Sequence, residues 1–323
     1  DGGEYGIKID GLDPGLITTN IELDSVEITN TDFDGIYLND LADGSIFKIN
    51  GTADSLIENA GSTAGSGVYL GNTSPTVNSA TLSITNMDIR NPNKPANYGI
   101  ELDNTNAIVY LDDVNIFAPG AADTILGATT GDFTQINSVY QDINGLEVTA
   151  GNATTDIVDA IVSNAGYAIT VDSGFTGELT FLNTIDVNAG SAGFDFGGSS
   201  GDFIFDGGAT ITMDSVGMVI DSNGGDFTFN QAVSITDAPA DAVDITNAGD
   251  VTFADLRIDS TGGDGVVATD TGSLTLSGTS IYNTTGTAVN VTDTNLTVQN
   301  MDIGSLDGIG SDGISALYNS AGS

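Results

Sequence analysis

The chain has 323 residues, with 45 Asp and Glu against 5 Lys and Arg, and it contains no Cys, His or Trp. The missing Cys excludes disulfide bonds and thiolate chemistry, and the missing His removes the commonest general base and metal ligand. The formal net charge of −40 argues against nucleic acid as a partner, because phosphates are met by clustered Lys and Arg. The sequence contains no run of about 18 apolar residues, so it predicts no membrane-spanning helix.

A short motif recurs from the start of the chain: a small residue, an apolar residue, any residue and a second apolar residue. In the N-terminal part the copies begin at Gly6, Gly35, Gly67 and Gly99, spaced by 29, 32 and 32 residues. These long spacings predict long turns. A further copy is predicted to begin at Ala122, where Asp123 would point inward, so this unit is irregular.

From residue 145 onward the motif is more regular. The copies begin at Gly145, Ala168, Gly193, Gly217, Ala242, Gly265, Ala288 and Gly313. Their spacings of 23 to 25 residues leave room for two more short strands in each unit. The second strand often reads apolar–Thr–apolar, which predicts an outward column of Thr180, Thr228, Thr252, Thr275 and Thr297, interrupted by Ile204.

Apolar and polar residues alternate in these strands, so one face of each is predicted to be buried. Three strands in 23 to 25 residues make one turn of a three-sided coil, which buries its apolar residues only when stacked on its neighbours. We therefore predict an all-β fold, a right-handed parallel β-helix (solenoid) of about 13 coils of three short strands. It would be one continuous solenoid, with irregular, longer-looped coils over 1–144 and regular coils over 145–323.

The G-[IV]-x-[LV] units, with third strands that end apolar–any–Asn as at Ile28–Asn30 and Ile57–Asn59, resemble the β-helix repeats of large bacterial surface proteins and autotransporter-like adhesins. They resemble the pectate-lyase-like superfamily more distantly. The resemblance covers essentially the whole chain and implies an extracellular or cell-surface location. It does not define an activity, because this fold hosts lyases, hydrolases, tailspikes and inert stalks.

The Asn at the end of the third strand has two readings. It tolerates the left-handed backbone conformation of a tight turn, and its amide can also hydrogen-bond to neighbouring backbone. A stacked Asn would link one coil to the next, whereas an isolated Asn would only form the turn within its own coil. The sequence leaves both readings open.

The first functional hypothesis is a structural or adhesive extracellular surface protein, a rod-like stalk or fibre subunit that could assemble end to end. It is favoured by the regular repeat and by the lack of an amphipathic capping helix, since open sheet edges invite strand pairing. It requires no cofactor. Its candidate partners are further copies of the chain, forming a homo-polymer, and a glycan or other cell-surface ligand. The candidate binding residues lie around the N-terminal loops: Tyr37, Tyr69, Asn91 and Tyr98.

The alternative hypothesis is a carbohydrate-active enzyme, a polysaccharide lyase or tailspike-type glycosidase that uses surface carboxylates. Two carboxylates about 5–10 Å apart suffice for glycoside hydrolysis, and Asp195 with Asp226, or Asp244 with Asp250, are candidate pairs. Lyases of the similar superfamily also use an Arg or Lys base. The two Arg of this chain lie far apart in the coil order, so the resemblance carries over no catalytic residue.

A column of acids is the candidate metal site. The dipeptide Gly-Asp precedes the second strand of successive units, at Asp202, Asp226 and Asp250. Stacked coils would bring these carboxylates near 5 Å apart, where repulsion costs only about 1 kcal/mol per pair in water. Ca²⁺ favours such oxygen-rich turns, so structural Ca²⁺ is one reading, and solvated acids on an acidic protein are the other.

Overall fold

The computed structural model of the chain is all-β. It describes residues 3–11, 18–61, 65–71, 80–90, 98–103, 105–117, 122–127, 131–141, 144–152, 156–163, 166–188, 191–212, 217–304 and 313–317. No residue within these ranges is helical. The chain forms two compact units, residues 1–161 and 162–323.

Short strands make up both units. The strands that begin in the first unit are β1 (Ile7–Asp10), β2 (Asn20–Leu23), β3 (Glu27–Thr29), β4 (Ile36–Asn39), β5 (Ile46–Asn50), β6 (Leu56–Glu58), β7 (Val68–Gly71), β8 (Thr81–Arg90), β9 (Ile100–Asp103), β10 (Ile108–Phe117), β11 (Ala122–Gly127), β12 (Phe133–Ile136), β13 (Val139–Gln141), β14 (Asn144–Gly151), β15 (Asp156–Val158) and β16 (Ala160–Ser163). The strands of the second unit are β17 (Gly166–Phe175), β18 (Glu178–Phe181), β19 (Ile185–Val187), β20 (Ser191–Asp195), β21 (Asp202–Phe205), β22 (Ala209–Thr212), β23 (Met218–Asp221), β24 (Phe227–Ala238), β25 (Val243–Thr246), β26 (Asp250–Thr261), β27 (Val266–Thr269), β28 (Ser273–Ser277), β29 (Ser280–Thr284), β30 (Val289–Thr292), β31 (Asn295–Gln299), β32 (Asp302–Gly304) and β33 (Ile314–Leu317).

In the first unit each strand pairs in parallel with the equivalent strand one coil later. The first strands of the coils follow the order β1-β4-β7-β9-β11-β14. The two long strands β8 and β10 serve as both second and third strand, because β8 pairs with β5 through its first half and with β6 through its last residues. Their corners are single residues with positive φ, Asn86 (φ 50°) and Asp113 (φ 55°).

The second unit repeats this arrangement with parallel pairs. Its first strands follow the order β17-β20-β23-β25-β27-β30-β33. The long strands β24 and β26 again supply both the second and the third strand of their coils. Pairing of every strand with its equivalent in the next coil defines a β-solenoid, which confirms the predicted fold class. The right-handed sense, the count of 13 coils, the continuity and the division at residue 145 stay predictions.

Close approach between coils explains the small residue that opens the repeat. A Cβ added to Gly35 would lie 2.6 Å from the Ile57 side chain and 2.7 Å from the carbonyl oxygen of Gly67 in the next coil. A Cβ on Gly67 would meet Ile89 and Gly99 in the same way. The first strand therefore begins where the third strand of its own coil and the backbone of the next coil leave no room for a larger side chain.

The core of the second unit contains a stack of phenylalanine rings. Phe181, Phe205, Phe229 and Phe253 follow one another in neighbouring coils, with ring centroids 4.7, 4.3 and 4.5 Å apart and nearly parallel planes. Identical inward positions in consecutive coils bring these rings face to face. All four are buried, so they contribute apolar area as well as ring contacts.

The predicted register at Ala122 is wrong by one residue. Thr124, not Asp123, pairs with the inward residue Ile100, and Leu126 pairs with Leu102. Leu126 is fully buried. A slip of one residue exchanges the two faces of a strand, and the observed register places Leu126 on the core side.

The described corner Asn residues form the turn and are not isolated, because they link neighbouring coils. Asn30, Asn59 and Asn283 have φ of 57°, 52° and 55°. The Asn59 amide donates to Asn30 Oδ1 at 3.4 Å, and the Asn283 amide donates to Asp259 Oδ1 of the preceding coil at 2.7 Å. These residues therefore make the left-handed turn and also link adjacent coils.

Candidate functional site

Aromatic rings occupy the outward column of the first strands in the first unit. Register pairs Lys8 with Tyr37, Tyr37 with Tyr69, and Tyr69 with Glu101. The rings of Tyr37 and Tyr69 are stacked with centroids 5.0 Å apart and planes at 8°. The ring of Tyr5, which the sequence did not single out, lies 5.2 Å from that of Tyr37. The structure thus brings two of the predicted binding residues into contact.

Neighbouring side chains fix this stack. The Lys8 ammonium lies 4.7 Å from the Tyr5 ring centroid and 5.2 Å from that of Tyr37, an arrangement stabilised by cation–π attraction. Lys8 also lies 3.7 Å from the Asp10 carboxylate. Because Tyr37 and Tyr69 cover each other's faces, this column offers a ligand mainly ring edges and hydroxyls.

Two carboxyl groups beside the stack are bridged by Ser66. The Ser66 N–H donates to Asp34 Oδ1 at 2.5 Å, and its hydroxyl donates to Glu101 Oε2 at 2.6 Å. Burial raises the pKa of Asp34 to about 6; the charge of Glu101 adds to this rise and the Ser66 N–H opposes it. Burial also raises the pKa of Glu101, and the pKa of Tyr69 is raised by burial and the charge of Asp103.

Sequence reasoning missed this carboxyl pair. Its one local signal is that Asp34 and Ser66 both stand directly before the small residue of the repeat, at Gly35 and Gly67. Because these two residues occupy the same position in consecutive coils, the side-chain oxygen of Asp34 is expected close to the backbone N–H of Ser66. The third member, Glu101, lies one coil further on, in β9.

The other two predicted binding residues have different outcomes. Tyr98 is half-buried, and its pKa is raised by burial and then by the charges of Glu147 and Glu101. Glu101 raises the pKa of Tyr69 as well, so one carboxyl group influences both phenols. Asn91 lies outside the described residues. We name Tyr5, Tyr37, Tyr69 and Tyr98 the tyrosine face; its binding role stays a prediction.

The candidate metal residues form a hydrogen-bonded column in the second unit. The Asp226 N–H donates to Asp202 Oδ1 at 3.0 Å, and the Asp250 N–H donates to Asp226 Oδ1 at 2.7 Å. The Ser273 hydroxyl donates to Asp250 Oδ1 at 2.8 Å. We name Asp202, Asp226 and Asp250 the Gly-Asp column. One oxygen of each carboxylate therefore accepts a hydrogen bond from the next coil.

The same contact recurs at the residue before the repeat's small position. Asp241 Oδ1 accepts from the Asp264 N–H at 2.6 Å, and Asp264 Oδ1 accepts from the Thr287 N–H at 2.6 Å. A carboxylate at a strand start thus satisfies a backbone donor of the next coil. Within the described ranges, no group of three or more acidic side chains is arranged to hold a metal ion. Structural Ca²⁺ stays a prediction.

The acids of the enzyme hypothesis have other acidic neighbours. The pKa of Asp195 is raised by burial and then by the charges of Asp172 and Asp221. The pKa of Asp244 is raised by burial and then by the charges of Asp241 and Asp221. Their predicted partners, Asp226 and Asp250, instead bond within the Gly-Asp column.

Every basic side chain in the described ranges is paired with an acid. The ion pairs are Lys8–Asp10 at 3.7 Å, Lys48–Glu22 at 3.4 Å, Arg90–Asp88 at 2.5 Å and Arg257–Asp255 at 2.7 Å. Each Arg binds the Asp two residues before it on the same outward face. These cations therefore already balance neighbouring carboxylates.

The outward Thr column of the second unit is confirmed. Register aligns Thr180, Ile204, Thr228, Thr252, Thr275 and Thr297 in consecutive coils. The sequence therefore predicted the facing of these strands correctly, including the one interruption.

The fold and these outward columns define the class of protein: an all-β, parallel β-solenoid whose neighbouring coils are joined by polar side chains. No protein-family model matches the chain, and comparison with curated proteins and with solved structures gives no match. Among the described residues, none forms a helix that is long and apolar enough to cross a membrane.

Proposed function

We propose that the chain is a structural or adhesive protein of the extracellular surface, working as a stalk or fibre subunit. One observation carries this proposal: asparagine amides donate to acids of the preceding coil in both units. The pairs are Asn39–Asp10, Asn50–Glu22, Asn115–Asp88, Asn137–Asp112, Asn230–Asp206, Asn283–Asp259 and Asn290–Asp264. We name this set the amide ladder.

The amide ladder suits a protein that must stay folded without disulfides. A typical intramolecular hydrogen bond contributes about 0.5–1.5 kcal/mol net. The shortest of these contacts are 2.7 Å, at Asn50, Asn230 and Asn283. Hydrogen bonds between coils along the outward surface therefore favour a stalk or fibre function.

The tyrosine face is the proposed adhesive contact within this function. Partly exposed tyrosines combine apolar rings with hydroxyl groups, and such side chains are enriched where proteins bind partners. Its proposed partner is a glycan or other cell-surface ligand. End-to-end association of further copies is the proposed assembly, because parallel edge strands have unpaired backbone groups.

The bridged carboxyl pair favours a second candidate, a carbohydrate-active enzyme. Asp34 has a pKa raised to about 6, and Glu101 shares Ser66 with it. Carboxyl groups with raised pKa values serve as general acids in glycoside hydrolysis. This pair is a better motivated candidate than Asp195 or Asp244, because one serine joins its two members.

A degradation assay separates the two functions. The purified chain is incubated with a panel of neutral and acidic polysaccharides, and new reducing ends and unsaturated products are measured. The surface-protein proposal expects no product from any polymer. Product that is lost in Glu101→Gln, Asp195→Ala or Asp244→Ala, but kept in the exposed-acid control Glu27→Gln, would replace it with the enzyme.

A further inference from the structure

A small notch lies at the corner between second and third strands in the first unit. Its cavity has a volume of about 230 Å³ and is lined by the loop after β5 and by Asn86, Met87, Asp88, Asp113 and Asn115. We name it the corner notch. Its lining comes from three consecutive coils, those of β5–β6, β8 and β10.

A difference in loop length creates the corner notch. The coil of β5 and β6 passes the corner through residues 51–55, whereas β8 and β10 turn through the single residues Asn86 and Asp113. The longer loop and the next two corners together line the notch.

Hydrogen bonds to β8 at both ends of the loop, residues 51–55, hold it in place. The Gly51 N–H donates to the Thr85 carbonyl at 2.8 Å, and the Asp88 N–H donates to the Ser55 carbonyl at 3.1 Å. Inside the loop, the Thr52 N–H donates to Ser55 Oγ at 2.9 Å. A Cβ on Gly51 would overlap the Asn86 backbone, so the loop lies directly against β8. The notch is preorganised by these contacts.

The lining offers both donors and acceptors of hydrogen bonds. Asp88 is fixed by the Arg90 guanidinium and by the Asn115 amide at 3.3 Å. Asn86 and Asp113 are exposed at their corners, and Met87 is 2% exposed and forms an apolar floor. Carboxylates accept from hydroxyl groups, while amide N–H groups donate to them.

Charge and size narrow the class of ligand. Two carboxylates line the notch, and the neighbouring Arg90 already binds one of them, so an anionic group would be repelled. The volume of about 230 Å³ exceeds the roughly 30 Å³ share of one water. It lies below the roughly 300–1,000 Å³ of pockets for drug-sized ligands. One ring rich in hydroxyl groups fits these limits.

We propose that the corner notch binds one neutral sugar residue of a glycan, with Asp88 and Asp113 accepting from its hydroxyls and Asn86 and Asn115 donating to them. This site rests on the proposed adhesive function and gives it a substrate class. It is separate from the tyrosine face, and it needs no chemistry beyond hydrogen bonding.

The test is saturation-transfer NMR with glucose, galactose, mannose and N-acetylglucosamine, followed by titration of whichever binds. Asp113→Asn keeps a residue that tolerates positive φ but removes the charge, so the Kd should rise about tenfold, which corresponds to roughly 1.4 kcal/mol. The matched control is Asp270→Asn, an exposed corner residue of the second unit with φ 51°, and its Kd should stay unchanged.

Three results would overturn the proposal: no saturable binding by any of the four sugars, binding that Asp113→Asn leaves unchanged, or binding of CaCl₂ in place of sugar that the same variant abolishes. The first result removes the sugar site and leaves the stalk function standing. Degradation of polysaccharides, by contrast, removes the stalk function, so the two failures are distinguishable.

Discussion

Asn283 illustrates how one side chain serves two purposes at a corner. Its φ of 55° places it in the left-handed region, which Asn tolerates better than most residues. Its amide also donates to Asp259 Oδ1 at 2.7 Å. The turn and the bond between coils are therefore contributed by one residue, and substitutions can separate them.

Replacing Asn283 by Gly and by Ala should measure the two contributions. Gly keeps the left-handed backbone but loses the amide, so it should lower the free energy of unfolding by about 0.5–1.5 kcal/mol. Ala loses the amide and is also strained by about 1 kcal/mol at positive φ, so it should cost more. Urea unfolding measures both. Equal stability of Asn283→Gly and the wild type would show that the bond between coils contributes nothing.

Asp156 should make stability depend on pH. It is 1% exposed, its Oδ1 accepts from the Phe133 N–H at 2.9 Å, and burial raises its pKa to about 7 from an ordinary 3.8. Since the folded pKa lies above the unfolded one, the fold favours the protonated acid. Stability should fall as pH rises from about 4 to 7, by roughly 4 kcal/mol from this group.

Asp156→Asn keeps the acceptor for Phe133 and cannot ionise. It should therefore be more stable than the wild type at pH 8 by a few kcal/mol, with the gain lost near pH 4. The exposed-acid variant Asp54→Asn is the control, because it removes the same charge without changing a buried group. Urea midpoints at several pH values decide. An equal gain in stability in both variants would show that the gain comes from the lower net charge and not from the buried carboxyl group.

At the scale of elements, equivalent positions in consecutive coils act together. The inward Phe229 lies 4.3 Å from Phe205 and 4.5 Å from Phe253 between ring centroids, while its neighbour Thr228 faces outward. Adjacent residues of one strand thus face opposite sides, one toward the core and the next toward solvent. Parallel pairing repeats that separation through the whole unit.

Phe229→Ala should lower the free energy of unfolding by about 3–5 kcal/mol, because it removes a buried ring and leaves a cavity between two others. Thr228→Ala, on the same strand and the opposite face, should cost less than about 1 kcal/mol. Denaturant unfolding of the two variants makes the comparison. Similar losses in both would contradict the assignment of the two faces.

Alternation and period were sufficient to predict most of the strands but not the side-chain clusters. Tyr37 and Tyr69 occupy the same position of the repeat motif in consecutive copies, and register pairs them. The strand at Ala122 was misplaced by one residue, because Thr124 pairs with Ile100 and the polar Thr124 gives no apolar signal in the sequence.

The bridged carboxyl pair and the corner notch could not be predicted in this way. Asp34, Ser66 and Glu101 come from three different coils, and their bonds depend on side-chain directions at strand starts. The notch depends on one loop, residues 51–55, being longer than the corners at Asn86 and Asp113. Sequence spacing does not reveal which loop and which corners line a common cavity.

At the scale of the whole molecule, the net charge of −40 must be tolerated by the folded chain. Self-repulsion of this kind destabilises a compact state and is screened by salt. The amide ladder reduces it locally, because Asn donates to a carboxylate without adding a charge. The described bases balance only the acids beside them.

Specific calcium binding should be distinguishable from the general screening of charge repulsion by salt. If the Gly-Asp column holds structural Ca²⁺, CaCl₂ should raise Tm by several degrees more than MgCl₂ at the same ionic strength, since the site prefers the larger ion. Asp226→Asn should remove the difference, and EDTA should lower Tm. Identical melting curves in CaCl₂, MgCl₂ and EDTA at matched ionic strength would exclude this stabilisation.

The surface role is tested most directly by locating the protein on cells of its source organism. Antibodies raised against the purified chain should label intact and permeabilised cells equally, and external protease should remove the signal from intact cells. Labelling that appears only after permeabilisation, and a signal that resists external protease, would contradict a structural or adhesive function outside the cell.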